Sequence, residues 1–385
     1  MKTSKGIVEL DSVKKKHLIL TTAFDPSCDE VMDWMRYHDG KAEISRINAE
    51  DLKTRVFKNQ HGRLFEWHSE GTPTISQYHS IWYRKQAVFF ERRALSKGLF
   101  EDVCLTNSSI DLLHYSNLAD LNALLDYECI KHQSSKKLGQ GPNEYFSKLL
   151  CLGIATRSGL SIPRTLVTGN KASLTEFLHT NLPQGIVCKA ITDGISIHQD
   201  EEKICLANYT EQVTEETLDR LPAFFQASLF QQMIDKAFEV RTFFLNEEFY
   251  SMAIFSQSNP QTAVDYRHYD YERPVRTAKF TLPAETKQSL LKLVRELDLY
   301  TGSIDLIKST DGKFYFLEVN PSGQFSAVSK SCGYHLEERV AKFLTEEKDE
   351  LSKDQNSHGE VTSNLPSSAE NKPRFKVPGS RDSKS

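Results

Sequence analysis

A series of strand-like segments between residues 227 and 319 is the feature that most constrains the fold. Each segment is rich in apolar, β-branched and aromatic residues, which favour strands. The pairs Asn246-Glu247 and Asp311-Gly312 separate neighbouring segments and fit tight hairpin turns. Strands joined by such short turns run antiparallel, so we predict an antiparallel sheet in this region.

Helical segments accompany these strands, which predicts a mixed α/β (α+β) fold. Residues 284–299 repeat apolar side chains at helical spacing, with one face suited to burial. Near the N-terminus, a strand over residues 17–24 precedes another helical stripe, and Ser27 and Glu30 fit a capping box at its start. The chain therefore begins with an α/β unit.

Shifts in composition divide the chain into segments. A polar stretch with glycine and proline predicts a boundary near residue 140. After residue 345 the sequence has too few apolar residues to offset the entropy of ordering. We predict an N-terminal α/β domain (1–140), a central domain (141–235), a C-terminal domain (236–345) and a disordered tail (346–385).

Bulk composition excludes several classes of function. The net charge is −4, so nucleic acid is not an expected partner. The 7 cysteines are scattered without a CxxC pair, which argues against a disulfide framework or a zinc site. With no signal peptide and no apolar window of membrane-spanning length, we expect a cytoplasmic protein with no membrane partner. Walker, GxGxxG, HExxH and GxSxG patterns are also missing from the sequence.

Three oxygen-bearing side chains cluster at the end of the strand series. Asp305 lies on one strand, and Glu318 and Asn320 lie on the next, beyond a short turn. Two carboxylates and an amide oxygen are hard ligands of the kind that hold Mg²⁺. The alternative is a solvated sheet face, but acids in such apolar strands carry a desolvation cost unless they are paired or metal-bound.

Two lysines and two arginines are candidates for binding anions. Lys148 begins a predicted helix after a polar stretch, and Lys189 lies inside an apolar strand, where an unpaired lysine is rarely buried. Arg241 alternates with Glu239 on one strand, and Arg267 lies in a polar, aromatic loop. Arginine binds phosphate and carboxylate through two parallel hydrogen bonds. Each candidate also has an ordinary explanation. These are a solvated helix face for Lys148, an edge-strand position for Lys189, a surface ion pair for Arg241 with Glu239, and a charged loop for Arg267.

In this order, these residues resemble those of the ATP-grasp ligases over about residues 143–344. "SKLLCLGIATRSGLSIPRTLVT" is similar to the opening segment of that family, and "FQQMIDKAFEVRTFFL" to its adenine hinge and following strand. The resemblance implies ATP and Mg²⁺, as two ions, as cofactors. It implies that Glu318 bridges the ions. It also implies these roles: phosphate binding by Lys148, Lys189 and Arg241; adenine contact by Gln232, Met233 and Ile234; ribose contact by Glu239; metal binding by Asp305, Glu318 and Asn320.

A narrower resemblance covers nearly the whole sequence before the tail. "SIWYRKQ", "VDYRHYD" and "EVNPSGQF" are similar to segments of the graspetide (microviridin-type) peptide maturases, in the grasp-with-spasm subgroup. The implied architecture is a pre-ATP-grasp domain, a central domain and a C-terminal ATP-grasp domain. Arg267 then matches the arginine that orients the acyl phosphate or the acceptor. One departure is the single glycine, Gly194, where many relatives carry a glycine-rich loop.

The resemblance implies an ATP-dependent ligase that forms ω-ester or ω-amide crosslinks in a ribosomally made precursor peptide with a leader. It further implies a radical-SAM (SPASM) maturase in the same pathway, and it is compatible with a homo-oligomer. Two alternatives remain open: a ligase that adds amino acids to a small molecule or protein tail, and a catalytically silent peptide-binding protein. The sequence offers no candidate for a general base.

Overall fold

The computed structural model describes residues 14–48, 56–58, 66–68, 78–85, 136–140, 147–191, 197–199, 204–206 and 210–347. Gly194, residues 141–146 beside the predicted boundary, and the predicted tail beyond residue 347 lie outside these ranges. The described residues form several sheets and helices, so the mixed α/β prediction is confirmed. No helix among them is long and apolar enough to span a membrane.

The N-terminal part is built around a parallel sheet. Its elements are β1 (Lys16–Thr21), α1 (Pro26–His38), β2 (Glu43–Asn48), β3 (Val56–Lys58), β4 (Glu66–His68), β5 (Ser80–Tyr83) and β6 (Lys136–Leu138). The parallel sheet has the order β2-β1-β5-β6, and β3 and β4 form a separate antiparallel pair. Parallel strands need long connections, which α1 supplies between β1 and β2.

The start of α1 differs from the predicted capping box. Asp25 is the N-cap, and its Oδ1 accepts a hydrogen bond from Cys28 N at 3.4 Å. Pro26 occupies the first helical position, where its missing N–H is not needed. The prediction of a capping box from Ser27 and Glu30 is therefore wrong, because an earlier carboxylate caps the helix. Asp25 also matters for the site described below.

The central part contains an antiparallel sheet. Its elements are α2 (Lys148–Arg157), β7 (Thr165–Asn170), α3 (Lys171–Thr180), β8 (Ile186–Lys189), β9 (Ile197–Gln199), β10 (Ile204–Leu206), β11 (Glu211–Val213), α4 (Glu215–Arg220) and β12 (Phe224–Gln232). The sheet order is β11-β8-β12-β7, and β9 and β10 form a small hairpin. Leu174, Ile186 and Phe230 are in its apolar core. The sheet carries Lys189 at the end of β8 and leads from β12 into residues 233–235.

The C-terminal part contains the predicted antiparallel sheet. Its elements are β13 (Lys236–Leu245), β14 (Glu248–Phe255), α5 (Pro260–Ala263), β15 (Arg276–Phe280), α6 (Ala284–Glu296), β16 (Thr301–Ser309), β17 (Phe314–Asn320), α7 (Ser326–Cys332) and α8 (Leu336–Thr345). The order is β15-β14-β13-β16-β17, with antiparallel pairing throughout. Asn246, Glu247 and Gly312 have φ of 44°, 72° and 91°, which confirms both predicted turns.

Packing on the two sides of this sheet positions the site. The helix α6 buries Leu290 and Val294 against one side. On the other side, the Phe325 ring lies 4.9 Å from that of Phe243 and 6.5 Å from that of Trp82, measured between ring centroids. Trp82 belongs to β5, so the N-terminal sheet and the segment that follows β17 share one apolar core.

Candidate active site

One cavity of about 670 Å³ collects almost all of the predicted site residues. This volume is in the range of ordinary small-molecule pockets. The predicted residues that line it are Lys189, Gln232, Met233, Ile234, Glu239, Arg241, Arg267, Asp305, Glu318 and Asn320. Lys148 is outside the lining, but its Nζ lies 3.4 Å from Glu318 Oε2. Residues far apart in sequence therefore meet at one place, as the predicted roles require.

Asp305 and Glu318 form an acidic pair across neighbouring strands. They are register partners between β16 and β17, where an irregularity in the pairing follows Asp305. Burial raises the pKa of Asp305, against the opposing effect of Arg241, and the Glu318 charge raises it further. Burial also acts to raise the pKa of Glu318, but Lys148 and Lys189 outweigh burial and lower it. The two acids therefore depend on nearby cations for their charge.

Arg241 is fixed by two partners. Its Nη1 donates to Asp305 Oδ1 at 3.1 Å and Oδ2 at 3.0 Å, and to Tyr266 Oη at 3.2 Å. The Asp305 charge raises the pKa of Arg241, so this guanidinium is always charged. Burial raises the pKa of Tyr266, which keeps the phenol neutral. Tyr266 was not among the predicted residues, although it lies in the "VDYRHYD" segment.

The two lysines approach Glu318 from different elements. Lys148 is the first residue of α2, whose N-cap Ser147 accepts a hydrogen bond from Leu150 N. Lys189 ends β8 and is half-buried, and burial lowers its pKa while Glu318 and Asp265 oppose that effect. Two ammonium groups near one carboxylate leave positive charge available to an anion.

Arg267 is held by a residue that the sequence analysis missed. Its Nε donates to Asp265 Oδ1 at 2.9 Å and Oδ2 at 3.1 Å, and Thr210 N donates to Asp265 Oδ2 at 3.0 Å. Burial acts to raise the pKa of Asp265, but the bonds from Arg267 and Thr210 lower it to about 2. The carboxylate thus anchors the loop arginine at the cavity wall. An acid two residues before an arginine was the available signal.

The predicted adenine hinge has much of its backbone already engaged. Gln232 N donates to Arg164 O at 2.8 Å, and Met233 N donates to Gly185 O at 3.0 Å. Ile234 N donates to no other group among the described residues. Of the hinge N–H groups, that of Ile234 is therefore the one available to a ligand.

Glu239 is a buried residue of the cavity lining, and one of its oxygens is paired. Its Oε1 accepts hydrogen bonds from Lys236 Nζ at 2.5 Å and Ser256 Oγ at 2.9 Å. Burial raises its pKa, although Lys236 opposes that effect. Lys236, which also donates to Val264 O at 3.0 Å, was not predicted. Glu239 Oε2 remains as an acceptor for a hydroxyl group.

Asn320 ends β17 and is fixed by the turn after it. Its Oδ1 accepts hydrogen bonds from Ser322 N at 3.0 Å and Gly323 N at 3.3 Å. No group of three His, Cys, Asp or Glu side chains suited to a metal occurs among the described residues. A metal site at Asp305 and Glu318 therefore needs an amide oxygen such as that of Asn320 as a further protein ligand.

The sequence profile of the RimK-like ATP-grasp domain matches residues 146–344, just over half of the chain. The chain belongs to the RimK-like ATP-grasp family. The match contains every residue predicted to bind the nucleotide or metal. The matched residues include α2, the central sheet and the C-terminal sheet. These elements are therefore those of an ATP-grasp ligase.

Several solved structures share the ATP-grasp fold of this chain. The macrocyclase MdnC of Microcystis aeruginosa MRC, bound with the precursor peptide MdnA, is 22% identical with a TM-score of 0.67, covering 85% of this chain and 98% of that one. A RiPP-associated ATP-grasp ligase of Chryseobacterium gregarium, in complex with ADP and a leader and core peptide, is 23% identical with a TM-score of 0.69, covering 86% and 95%.

A third structure is that of the ATP-grasp ligase PsnB complexed with a minimal precursor, Mg and ADP. It is 14% identical with a TM-score of 0.64, covering 85% of this chain and 96% of that one. At these identities the comparison establishes the fold, which extends over the N-terminal part as well. No curated protein sequence matches the chain.

Proposed function

We propose that this ATP-grasp protein is a ligase that crosslinks a ribosomally made precursor peptide. It would activate Asp or Glu side chains as acyl phosphates and join them to Ser, Thr or Lys side chains, giving ω-ester or ω-amide bonds. The observation that carries the proposal is the single cavity in which Lys189, Arg241 and Arg267 face the acidic pair Asp305 and Glu318. The shared fold of structures complexed with precursor peptides supports the choice of substrate.

The cavity contains the groups that ATP needs. Residues 232–234 border it, and the N–H of Ile234 suits an adenine nitrogen. Glu239 Oε2 suits a ribose hydroxyl, because the other oxygen already has two donors. Lys148, Lys189 and Arg241 supply positive charge for the phosphates, which bind such donors through charge-assisted hydrogen bonds.

Asp305, Glu318 and Asn320 fit Mg²⁺ by the chemistry of their donor atoms. They offer two carboxylates and one amide oxygen, which are the hard ligands that Mg²⁺ prefers. The acidic pair is half-buried, and burial, together with the Glu318 charge, raises the pKa of Asp305; a divalent cation would offset both effects. Two Mg²⁺ ions held by these residues would neutralise negative charge on the phosphates of ATP.

The reaction follows from these groups in two steps. A substrate carboxylate oxygen attacks the γ-phosphorus, its bond to the ADP oxygen breaks, and an acyl phosphate forms. A hydroxyl or amine then attacks the acyl carbon, the bond from that carbon to the phosphate oxygen breaks, and the departing phosphate or a water takes the proton that the nucleophile loses. Arg241, oriented by Asp305 and Tyr266, and Arg267, oriented by Asp265, would stabilise the negative charge that develops on the transferring oxygens.

Several finer features belong to the same proposal. The peptide would carry a leader, and a radical-SAM (SPASM) maturase would act in the same pathway. The reaction would take place in the cytoplasm, and the enzyme would be active alone or as a homo-oligomer. The domain limits at residues 140, 235 and 345 stay predictions.

Incubation with ATP, Mg²⁺ and a candidate precursor from neighbouring genes, followed by mass spectrometry, tests the function. We expect the peptide to lose the mass of one water for each bond formed. A gain in mass would instead support a ligase that adds amino acids. Peptide binding without ATP turnover would support a catalytically silent protein, against which the intact acidic pair and lysines argue.

A further inference from the structure

A buried arginine of the N-terminal sheet contacts the turn that follows Asn320. Arg84 directly follows β5 and is 2% exposed. Its Nη1 donates to the backbone carbonyls of Ser322 and Gly323, the latter at 2.8 Å. The guanidinium carbon also lies 5.1 Å from the centroid of the Phe325 ring. One side chain from the N-terminal sheet therefore reaches across 238 positions of sequence to the metal end of the cavity.

The other edge of the same guanidinium is fixed by the start of α1. Arg84 Nη2 donates to Ser27 Oγ at 3.1 Å, and Nε lies 3.4 Å from Asp25 Oδ2. Asp25 is 1% exposed and accepts hydrogen bonds from Thr21 Oγ1 at 2.8 Å and Ser27 Oγ at 2.6 Å. Burial acts to raise the pKa of Asp25, but its hydrogen bonds and Arg84 lower it, so the acid is charged. The contacts with Ser27 and the charged Asp25 therefore fix the position of the Arg84 guanidinium.

A single peptide group links Arg84 to Asn320. The carbonyl of Ser322 accepts from Arg84, while the N–H of Gly323, in the same peptide group, is shared between Asn320 O at 3.1 Å and Asn320 Oδ1 at 3.3 Å. A rotation of this group would break these bonds together and leave Oδ1 with only the bond from Ser322 N, which belongs to the preceding peptide group. The cationic donor on the carbonyl also polarises the peptide and strengthens its N–H as a donor.

The turn itself has no room to shift toward β16. Gly323 has φ +27°, and a Cβ there would lie 2.7 Å from the backbone of Gly302 and Ser303. The turn is therefore confined by β16 on one side and by Arg84 on another. Substituting Arg84 would remove the constraint on that second side and leave the contacts with β16 in place.

We propose that Arg84 is a positioning residue for the metal site. It orients the peptide group between Ser322 and Gly323, which in turn holds Asn320 Oδ1 toward the cavity. The inference rests on the proposed magnesium site and assigns no contact between Arg84 and the reacting atoms. Residues that orient metal ligands typically contribute about ten- to hundredfold to metal affinity.

Binding of Mn²⁺, a spectroscopically visible substitute for Mg²⁺, tests this inference without any peptide. Electron paramagnetic resonance would measure free Mn²⁺ in the presence of saturating ADP, for the wild type and for Arg84→Gln and Arg84→Lys. We expect Arg84→Gln to weaken Mn²⁺ binding about tenfold or more. The lysine variant keeps the charge beside Asp25 but lacks the planar fork, so its loss should be smaller. Arg84 borders the cavity, but its Nη1 and Nη2 donate to Ser322, Gly323 and Ser27. ADP binding without metal should therefore change less than about twofold in both variants.

Arg46→Gln is the matched control. Arg46 also belongs to the N-terminal sheet, and its Nη2 donates to the carbonyls of Thr22 at 2.7 Å and Ala23 at 3.1 Å. It lies outside the cavity lining. If Arg84 acts only by holding the N-terminal fold, the two glutamine variants will resemble each other. If Arg84 positions Asn320, only its own variants will lose metal affinity.

Each outcome is decisive. Unchanged Mn²⁺ affinity in folded Arg84→Gln, or an equal loss of metal-free ADP binding, would overturn the inference. If Arg84→Gln fails to fold because Asp25 has lost this partner, the double variant with Asp25→Asn removes both charges. Its Mn²⁺ affinity is then compared with that of the wild type, with the same criteria. A wild type that binds ADP but no Mn²⁺ would refute the proposed metal site itself, and a lack of crosslinks with intact Mn²⁺ binding would refute only the proposed peptide chemistry.

Discussion

Asp265→Asn tests whether an ion pair holds the loop arginine at the cavity wall. Asp265 is 6% exposed, and its carboxylate accepts hydrogen bonds from Arg267 and from Thr210 N. Burial acts to raise its pKa, but these bonds lower it from 3.8 to about 2. At about 1.4 kcal/mol per pKa unit, this shift corresponds to about 2 kcal/mol of stability.

The sign of the pH dependence follows from this lowered pKa. The folded protein holds Asp265 ionised more strongly than the unfolded chain does, so the contribution is fully present above the unfolded pKa. It is lost as the pH falls through the folded pKa of about 2. We therefore expect Asp265→Asn to lower the free energy of unfolding by about 2 kcal/mol at neutral pH. The difference from wild type should shrink below about pH 4.

Urea denaturation of both proteins, from neutral pH downward, measures this difference. Glu247→Gln is the control, because Arg295 also contacts both Glu247 oxygens, at 2.6 and 2.9 Å, yet that pair is largely exposed. Exposed pairs contribute little, so its loss should be several-fold smaller. A loss for Asp265→Asn that equals the control, or that persists unchanged in acid, would refute the reasoning.

Two further predictions concern the metal and phosphate ends of the cavity. Glu318→Gln should abolish ATP turnover while the protein stays folded, because a neutral amide cannot replace a carboxylate at the proposed metal site; near-normal ADP release in a coupled assay would contradict the metal assignment. Lys189→Met should raise the KM for ATP about tenfold or more, since charged hydrogen bonds contribute about 1.5–3 kcal/mol. The same change should not lower the urea midpoint, because burial already disfavours the charged lysine, as its lowered pKa indicates; a large loss of stability would contradict this.

The sequence predicts those parts of the site that depend on local geometry. The turn at Asp311-Gly312 makes β16 and β17 neighbours and sets the pairing of residues 306–308 with residues 314–316. An irregularity after Asp305 then brings Asp305 opposite Glu318 instead of Leu317. Alternation along β13 likewise puts Glu239 and Arg241 on one face. The hairpin and the alternation follow from turn chemistry and strand period, which a single sequence displays, whereas the irregularity after Asp305 does not.

Contacts between distant segments lie outside what local patterns predict. Arg84 was only one member of a basic pair in "SIWYRKQ", and nothing in its neighbourhood indicates a contact with residues 322 and 323. Asp25 was overlooked in favour of Ser27 as the helix cap, although it also pairs with Arg84. Both roles arise from the packing of the N-terminal sheet against Phe325, which depends on the whole fold.

The ion pairs of the cavity imply that nucleotide and metal bind cooperatively. Arg241 is paired with Asp305, and Lys148 with Glu318, and these acids are the proposed metal ligands. A nucleotide that took the cations alone would separate the half-buried carboxylates from these cations, which is costly. A metal that took the carboxylates alone would separate the same cations from their acids. When both bind, each group exchanges one partner for another.

Calorimetric titration should therefore give ADP affinity that rises with Mg²⁺, and metal affinity that rises with ADP by the same factor. Independent binding would mean that these ion pairs persist in the complex and that phosphates and metal are held by other groups.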